Sequence, residues 1–253
     1  MTKYEMLGKK LEAREKVCGT TLTFFDEPIL VELMRRDDLD YLIFDMEHAR
    51  FNSESLLAHL HMCRTIDIPS FVRVQDAQYH LIAKAVDMGA DGIVLPRTET
   101  LAHLRTAVDA MCFHPVGKKG CGGFSQFRKG ESFDEFQKGR YLFPQIESPK
   151  GIEALPSMLD EYGKHISGII VGPYDMSVMV GTPLNLYSDE MVSAIGRVIR
   201  ICGEYGKSAG VFCNDAGEAA AYRKMGANIF WLNTDLSFFL DGYKRAFDAM
   251  SKI

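Results

Sequence analysis

Glu147 in FPQIES and Asp175 in VGPYDMS each follow a short apolar run. If the two runs are consecutive strands of one sheet, both carboxylates reach the same end of it. Carboxylates brought together repel and raise each other's pKa unless a cation intervenes. An oxygen-only pair favours a hard divalent ion such as Mg2+ or Mn2+. Two protein ligands leave positions for water and substrate, which suits Lewis-acid catalysis. The competing reading is a helix cap, which Ser148 or Asp175 could supply without any metal.

Other residues could share this chemistry. His48, in DMEHA, stands beside Asp45 and Glu47 at the end of another apolar run. Its near-neutral pKa suits acid–base work, although a lone histidine is more often structural. Arg73 interrupts the apolar run SFVRV. A buried guanidinium needs a counter-ion, either a bound carboxylate or enolate, or an internal pair with Asp45 or Glu47. No lysine sits inside an apolar run, and Lys150 falls in a helical first turn, so Schiff-base chemistry is disfavoured. His59 and His61, two apart on a helix, read as solvated or packing residues. The motifs G-x-S-x-G, H-E-x-x-H and the P-loop do not occur.

These side chains need a frame. Eight apolar runs recur, at 17–25, 40–47, 70–74, 92–96, 141–147, 168–172, 208–212 and 229–233. They are continuous rather than alternating, as strands buried on both faces are. Amphipathic stretches lie between them. Residues 53–64 place Leu56, Leu57, Leu60 and Cys63 on one face, with Ser53 as the N-cap. Residues 78–88 stop at Gly89, and 100–111, 148–159, 189–205, 215–225 and 235–250 behave similarly. Eight strand–helix units predict a (β/α)8 TIM barrel, α/β in class, forming a single domain over residues 1–253. An open doubly wound sheet would normally show a glycine-rich turn after its first strand, and GTTLTFFDEP is not one. In a barrel the site lies at the carboxyl ends of the strands. That end collects Asp45, Glu47, His48, Arg73, Arg97, Gln145, Glu147 and Asp175. The glycine-rich piece 117–124 and the residues after it read as a long irregular connection.

Composition narrows the function further. The 253 residues are 47% apolar and 25% charged, with 29 Lys+Arg against 34 Asp+Glu. A net charge of −5 gives no footprint for nucleic acid. Apolar residues are too plentiful for disorder, and no run is long enough to span a bilayer. The charged N-terminus lacks the apolar core of a signal peptide. Six scattered cysteines without a C-x-x-C pair point to a reducing cytoplasm.

DYLIFDMEHARFNSESL, SFVRV, AVDMGADGIVLPRTET, FPQIES and VGPYDMS, in that order, resemble the HpcH/HpaI aldolases. These are class II, metal-dependent pyruvate aldolases of the phosphoenolpyruvate/pyruvate barrel group. The likeness runs from about residue 17 to 245, and D-x-E-H-A with Q-x-E and G-P-x-D-x-S is specific as a combination. It implies that Glu147 and Asp175 bind a divalent ion, Mg2+ or Mn2+, with Co2+ admissible. It implies that Gln145, with the backbone around Tyr174 and Asp175, contacts a 2-oxo acid. Arg73 would steady the pyruvate enolate, and His48 would act as general base. Asp87 matches an aspartate that raises the basicity of that histidine. By the helix reading Asp87 lies in the last turn before Gly89, at the barrel foot. A dyad with His48 then requires an irregular helix or a neighbouring subunit.

The implied reaction is reversible aldol cleavage of a 4-hydroxy-2-oxo acid to pyruvate and an aldehyde, with a place in aromatic-compound catabolism. Related barrels instead cleave hydroxyacyl-CoA thioesters or decarboxylate oxaloacetate. A non-catalytic barrel subunit would lack Glu147, Asp175 or Arg73, and all three are present. Three departures from the family pattern stand out, all expected around the mouth. Lys119 replaces an arginine in FHPVGKKG, Arg97 replaces an apolar residue, and GTTLTFFDEP lacks an aromatic residue after its glycine. Arg97 or Lys119 could attract an acidic aldehyde, or both could be solvated loop charges. The last helix lines up Phe239, Tyr243, Phe247 and Met250. It either docks on its own barrel or, as the resemblance implies, is exchanged between subunits of a homohexamer.

Overall fold

The eight apolar runs pair in chain order into one closed parallel barrel in the computed structural model, which describes residues 1–123 and 125–253. The strands are β1 (Val17–Leu22), β2 (Tyr41–Asp45), β3 (Ser70–Arg73) and β4 (Gly92–Leu95), then β5 (Tyr141–Ile146), β6 (Ile169–Val171), β7 (Ala209–Cys213) and β8 (Ile229–Thr234). The chain enters through α1 (Lys3–Glu12), and α2 (Ile29–Leu33) follows β1. Around the barrel run α3 (Ser53–Thr65), α4 (Tyr79–Asp87), α5 (Leu101–Met111), α6 (Phe133–Gly139) and α7 (Pro149–Tyr162). The short α8 (Pro173–Met179), α9 (Asp189–Glu204), α10 (Ala216–Met225) and α11 (Asp235–Met250) complete it. This is the (β/α)8 architecture expected from the runs.

Successive strand side chains alternate between faces, and the core divides accordingly. Phe44, Val72, Ile93 and Leu95 face outward and pack with Leu56, Leu60, Ile82 and Leu104 of the helices. Tyr41, Ile43, Phe71, Val94, Phe143, Ile170, Ile229 and Trp231 fill the interior, where Leu7 and Leu11 of α1 join them. The inward parity carries on to Asp45 after Ile43, to Arg73 after Phe71, and to Gln145 and Glu147 after Phe143. The interior therefore turns from apolar to charged on approaching the carboxyl ends.

Several local expectations change. Asn52, not Ser53, caps α3, its side chain accepting from the amides of Glu54 and Ser55 at 2.9 and 3.0 Å. The connection before β5 is not wholly irregular. It contains α6, opened by a Ser132–Glu135 capping box and anchored by fully buried Phe136. Seven residues are too few to display a helical period. The piece 117–124 ends at Phe124, which lies outside the described residues. Strand β1 stops three residues before its apolar run does. The amides of Thr23, Phe24 and Phe25 turn instead onto the buried carboxylate of Asp235, at 2.8–3.0 Å. From Leu236 onward no residue of α11 is buried, and Phe239, Tyr243 and Phe247 are more than half exposed. The helix therefore docks on its own barrel only at its start, where Phe239 meets Phe25 edge-on with ring centres 5.6 Å apart, and the rest of its apolar face is open.

Candidate active site

Strands β5 and β6 set the acidic corner. Glu147 follows β5 directly and is 4% exposed, while its neighbour Ser148 caps α7 by accepting from the Gly151 amide at 3.1 Å. Asp175 lies exposed in the first turn of α8, which has no side-chain cap. Ser148 thus supplies the cap, and both carboxylates are left over. Burial, with Asp175 and Glu47 adding negative charge, pushes Glu147 up to about 8; Arg73 and Arg97 act against this. Glu147 Oε1 and Gln145 Oε1 are buried with no hydrogen-bond partner. Gly172 allows this crowding, because a Cβ there would stand 2.5 Å from Gln145 Nε2 and 2.8 Å from Glu147 Oε1.

Strands β2 and β3 set the basic side. Arg73 donates from Nε and Nη2 to the two oxygens of Asp45, at 2.9 and 2.7 Å. The internal pair weighed for Arg73 is therefore formed. Its Nη1 lies 3.5 Å from Glu47, and its guanidinium sits 5.2 Å from the Trp231 ring centre. Burial disfavours the Arg73 charge, but Asp45, Glu47 and Glu147 outweigh it and hold its pKa up. Glu47 bonds Arg97, which also donates to the Gln75 carbonyl at 2.8 Å. Burial raises the Glu47 pKa against the pull of Arg73, Arg97 and His48. His48 is exposed, with Nε2 3.7 Å from Glu47.

Tyr174 stands on the far side, its hydroxyl donating to Asn214 Oδ1 at 2.8 Å and its ring edge-on to Phe212. Asp87 is elsewhere. It ends a regular α4 and ion-pairs with Lys119, whose side chain is fully buried. Lys119 therefore flanks α4 and does not stand at this chain's mouth, contrary to its expected position. Of the histidine pair, His59 is packed, its ring against Phe44 and Phe51, while His61 is exposed. Sequence reasoning missed Gly172, Phe212, Asn214, Trp231 and Asp235. Inward parity was the available signal for Phe212 and Trp231; the contacts of Asn214 and Asp235 join distant segments and left none.

The donor set fits a hard divalent ion. Two carboxylates and an orphaned amide oxygen are all oxygen ligands. Four acids (Asp45, Glu47, Glu147, Asp175) face two guanidiniums (Arg73, Arg97); with Glu147 protonated near neutral pH one net negative charge is left, and a second appears when a cation displaces that proton. Among the described residues no group of three His, Cys, Asp or Glu is placed to hold a metal ion, so the protein ligands here number two carboxylates at most. An ion held here would keep open positions.

A charged, partly desolvated mouth on a (β/α)8 barrel is the frame of a barrel enzyme. The family model described as HpcH/HpaI aldolase/citrate lyase matches residues 24–241, and the chain belongs to that family. It is 26% identical over 232 residues to a 5-keto-4-deoxy-D-glucarate aldolase of Klebsiella pneumoniae subsp. pneumoniae, covering 89% of each chain. It is 25% identical over 218 residues to a hydroxypyruvate/pyruvate aldolase of Delftia acidovorans, covering 84% of this chain and 80% of the other. The crystal structure of an HpcH/HpaI aldolase from Desulfitobacterium hafniense has the same fold. It matches with a TM-score of 0.89 at 23% identity, over 97% of this chain and 96% of the other.

Proposed function

We propose that the mouth catalyses reversible aldol cleavage of a 4-hydroxy-2-oxo acid to pyruvate and an aldehyde, assisted by a divalent ion. The observation that carries this is Glu147: buried, unpartnered at Oε1, and pushed up in pKa beside Asp175. Family membership and relatives named as aldolases support the reaction class. Mg2+ or Mn2+ between Glu147 and Asp175 would supply Lewis-acid polarisation of the keto group. Gln145 and the backbone at Tyr174 and Asp175 orient the 2-oxo acid. Arg73, fixed by Asp45, offers its positive charge to the enolate as the C3–C4 bond breaks. His48, exposed at the rim beside Glu47, takes the C4 hydroxyl proton directly or through water.

Asp87 acts on His48 in this scheme only from a second copy, because α4 is regular and Asp87 is held by Lys119. The open apolar face of α11 provides a surface for such assembly, and a homohexamer with exchanged helices suits it. No helix among the described residues is long and apolar enough to cross a membrane, and six free cysteines suit a reducing cytoplasm. At GKKG, Lys119 is buried against Asp87 while Lys118 pairs with Asp109 at the open surface, so the CoA-thioester alternative loses one of its two candidate phosphate contacts. The test is a pyruvate-lyase assay with Mg2+ or Mn2+, run beside a CoA-thioester assay. Glu147→Ala should abolish metal-dependent turnover while circular dichroism stays native. Unchanged turnover would overturn the site, and thioester cleavage alone would overturn the reaction.

A further inference from the structure

Arg97 lies two residues beyond β4 and holds a left-handed backbone, φ +44°. A long side chain rarely adopts this region, and such conformations persist where the surroundings fix them, often at functional sites. The turn aims the guanidinium across the mouth. One terminal nitrogen bonds Glu47, whose side chain is 5% exposed, and the other bonds the Gln75 carbonyl at 2.8 Å. Two of its five N–H groups are engaged among the described residues. The guanidinium remains half exposed. Its partner Glu47 also lies 3.5 Å from Arg73 Nη1, which places Arg97 in the same charged mouth. Arg73 differs: its fork is closed on Asp45 and it is 12% exposed. Lys119, the other cation that departs from the family pattern, is buried against Asp87. Arg97 thus combines a fixed position, spare donors and an open face beside the acidic corner.

We propose that Arg97 selects the aldehyde half of the substrate by pairing with a carboxylate that the aldehyde carries. This inference rests on the aldolase reading above. A guanidinium fork suits a carboxylate better than a hydroxyl, since it offers parallel charge-assisted hydrogen bonds. Its anchoring by Glu47 and Gln75 limits the freedom lost when substrate binds.

The test runs in the synthetic direction with Mg2+-loaded enzyme and pyruvate. It compares kcat/KM for glyoxylate with that for glycolaldehyde, two short aldehydes that differ in a carboxylate against a hydroxymethyl group. Wild type favours glyoxylate. Arg97→Met lowers the glyoxylate-to-glycolaldehyde ratio by about tenfold to a hundredfold, the worth of one charge-assisted hydrogen bond. Arg97→Lys keeps the charge without the fork and falls between. Because each variant is read as a ratio, a general loss of activity cancels. An unchanged ratio in Arg97→Met, or a wild type that prefers glycolaldehyde, overturns the proposal. Exchange of pyruvate C3 protons into D2O by wild type needs no aldehyde and tests the aldolase reading separately. No exchange removes the foundation, whereas exchange with an unaltered ratio removes Arg97 alone.

Discussion

Replacing Glu147 by Gln keeps the side chain's shape and deletes its titration. In the metal-free folded protein this carboxyl holds its proton up to about pH 8, against 4.5 for the unperturbed group. Between those values the folded state binds more protons than the unfolded chain, so stability falls as pH rises. The contribution is fully present below the unfolded value and gone above the folded one. The slope is about 1.4 kcal/mol per pH unit, so raising the pH from about 5.5 to about 7.5 costs roughly 2.7 kcal/mol at this one residue. For a chain of this length that is a fall of about 5–10 °C in Tm. Thermal unfolding in EDTA, with wild type and Glu147→Gln side by side across this range, isolates the residue. The Gln variant should lack this share of the slope. Mn2+ at a hundredfold excess over its Kd should then stabilise wild type by about 2.7 kcal/mol and the variant by much less. Parallel pH curves for the two proteins would refute the claim that Glu147 is buried without compensation.

Gly172→Ala should drive a Cβ into Gln145 and Glu147, cutting turnover by about a hundredfold through misplacement and stability by about 1–3 kcal/mol through overpacking. Steady-state kinetics and urea unfolding measure both, and an active, stable variant would mean the cradle is looser than described. Asp235→Ala should strand the amides of Thr23, Phe24 and Phe25, at a cost of about 3 kcal/mol in urea unfolding; a cost near zero would show that those amides find water. Tyr243→Asp with Phe247→Asp should reduce the sedimenting mass if the open face of α11 is an assembly surface, and an unchanged mass would contradict that.

Much of the fold was legible because eight continuous apolar runs, separated by amphipathic stretches, admit few arrangements. Glycines mark helix ends locally, so Gly89, Gly206 and Gly226, all at positive φ, were readable. The acidic corner was readable because Glu147 and Asp175 sit at the ends of consecutive runs. Facing direction was less legible. With both faces of a strand buried, hydropathy does not separate Phe44 from Ile43, and Arg73's choice of Asp45 stayed open. Long-range contacts were hidden altogether. Lys119 meets Asp87 across 32 positions, and Asp235 meets Thr23 across 212. Asn52 and Ser53 both suit an N-cap, so only backbone geometry decides between them.

The central claim is that Glu147 and Asp175 grip one divalent ion at the barrel mouth. Anomalous diffraction from crystals soaked with Mn2+ and pyruvate tests it most directly. The account predicts a single anomalous peak bonded to both carboxylates, with pyruvate seated beside Gln145 and Arg73. A peak bonded to neither residue, or pyruvate bound away from the ion, would contradict it.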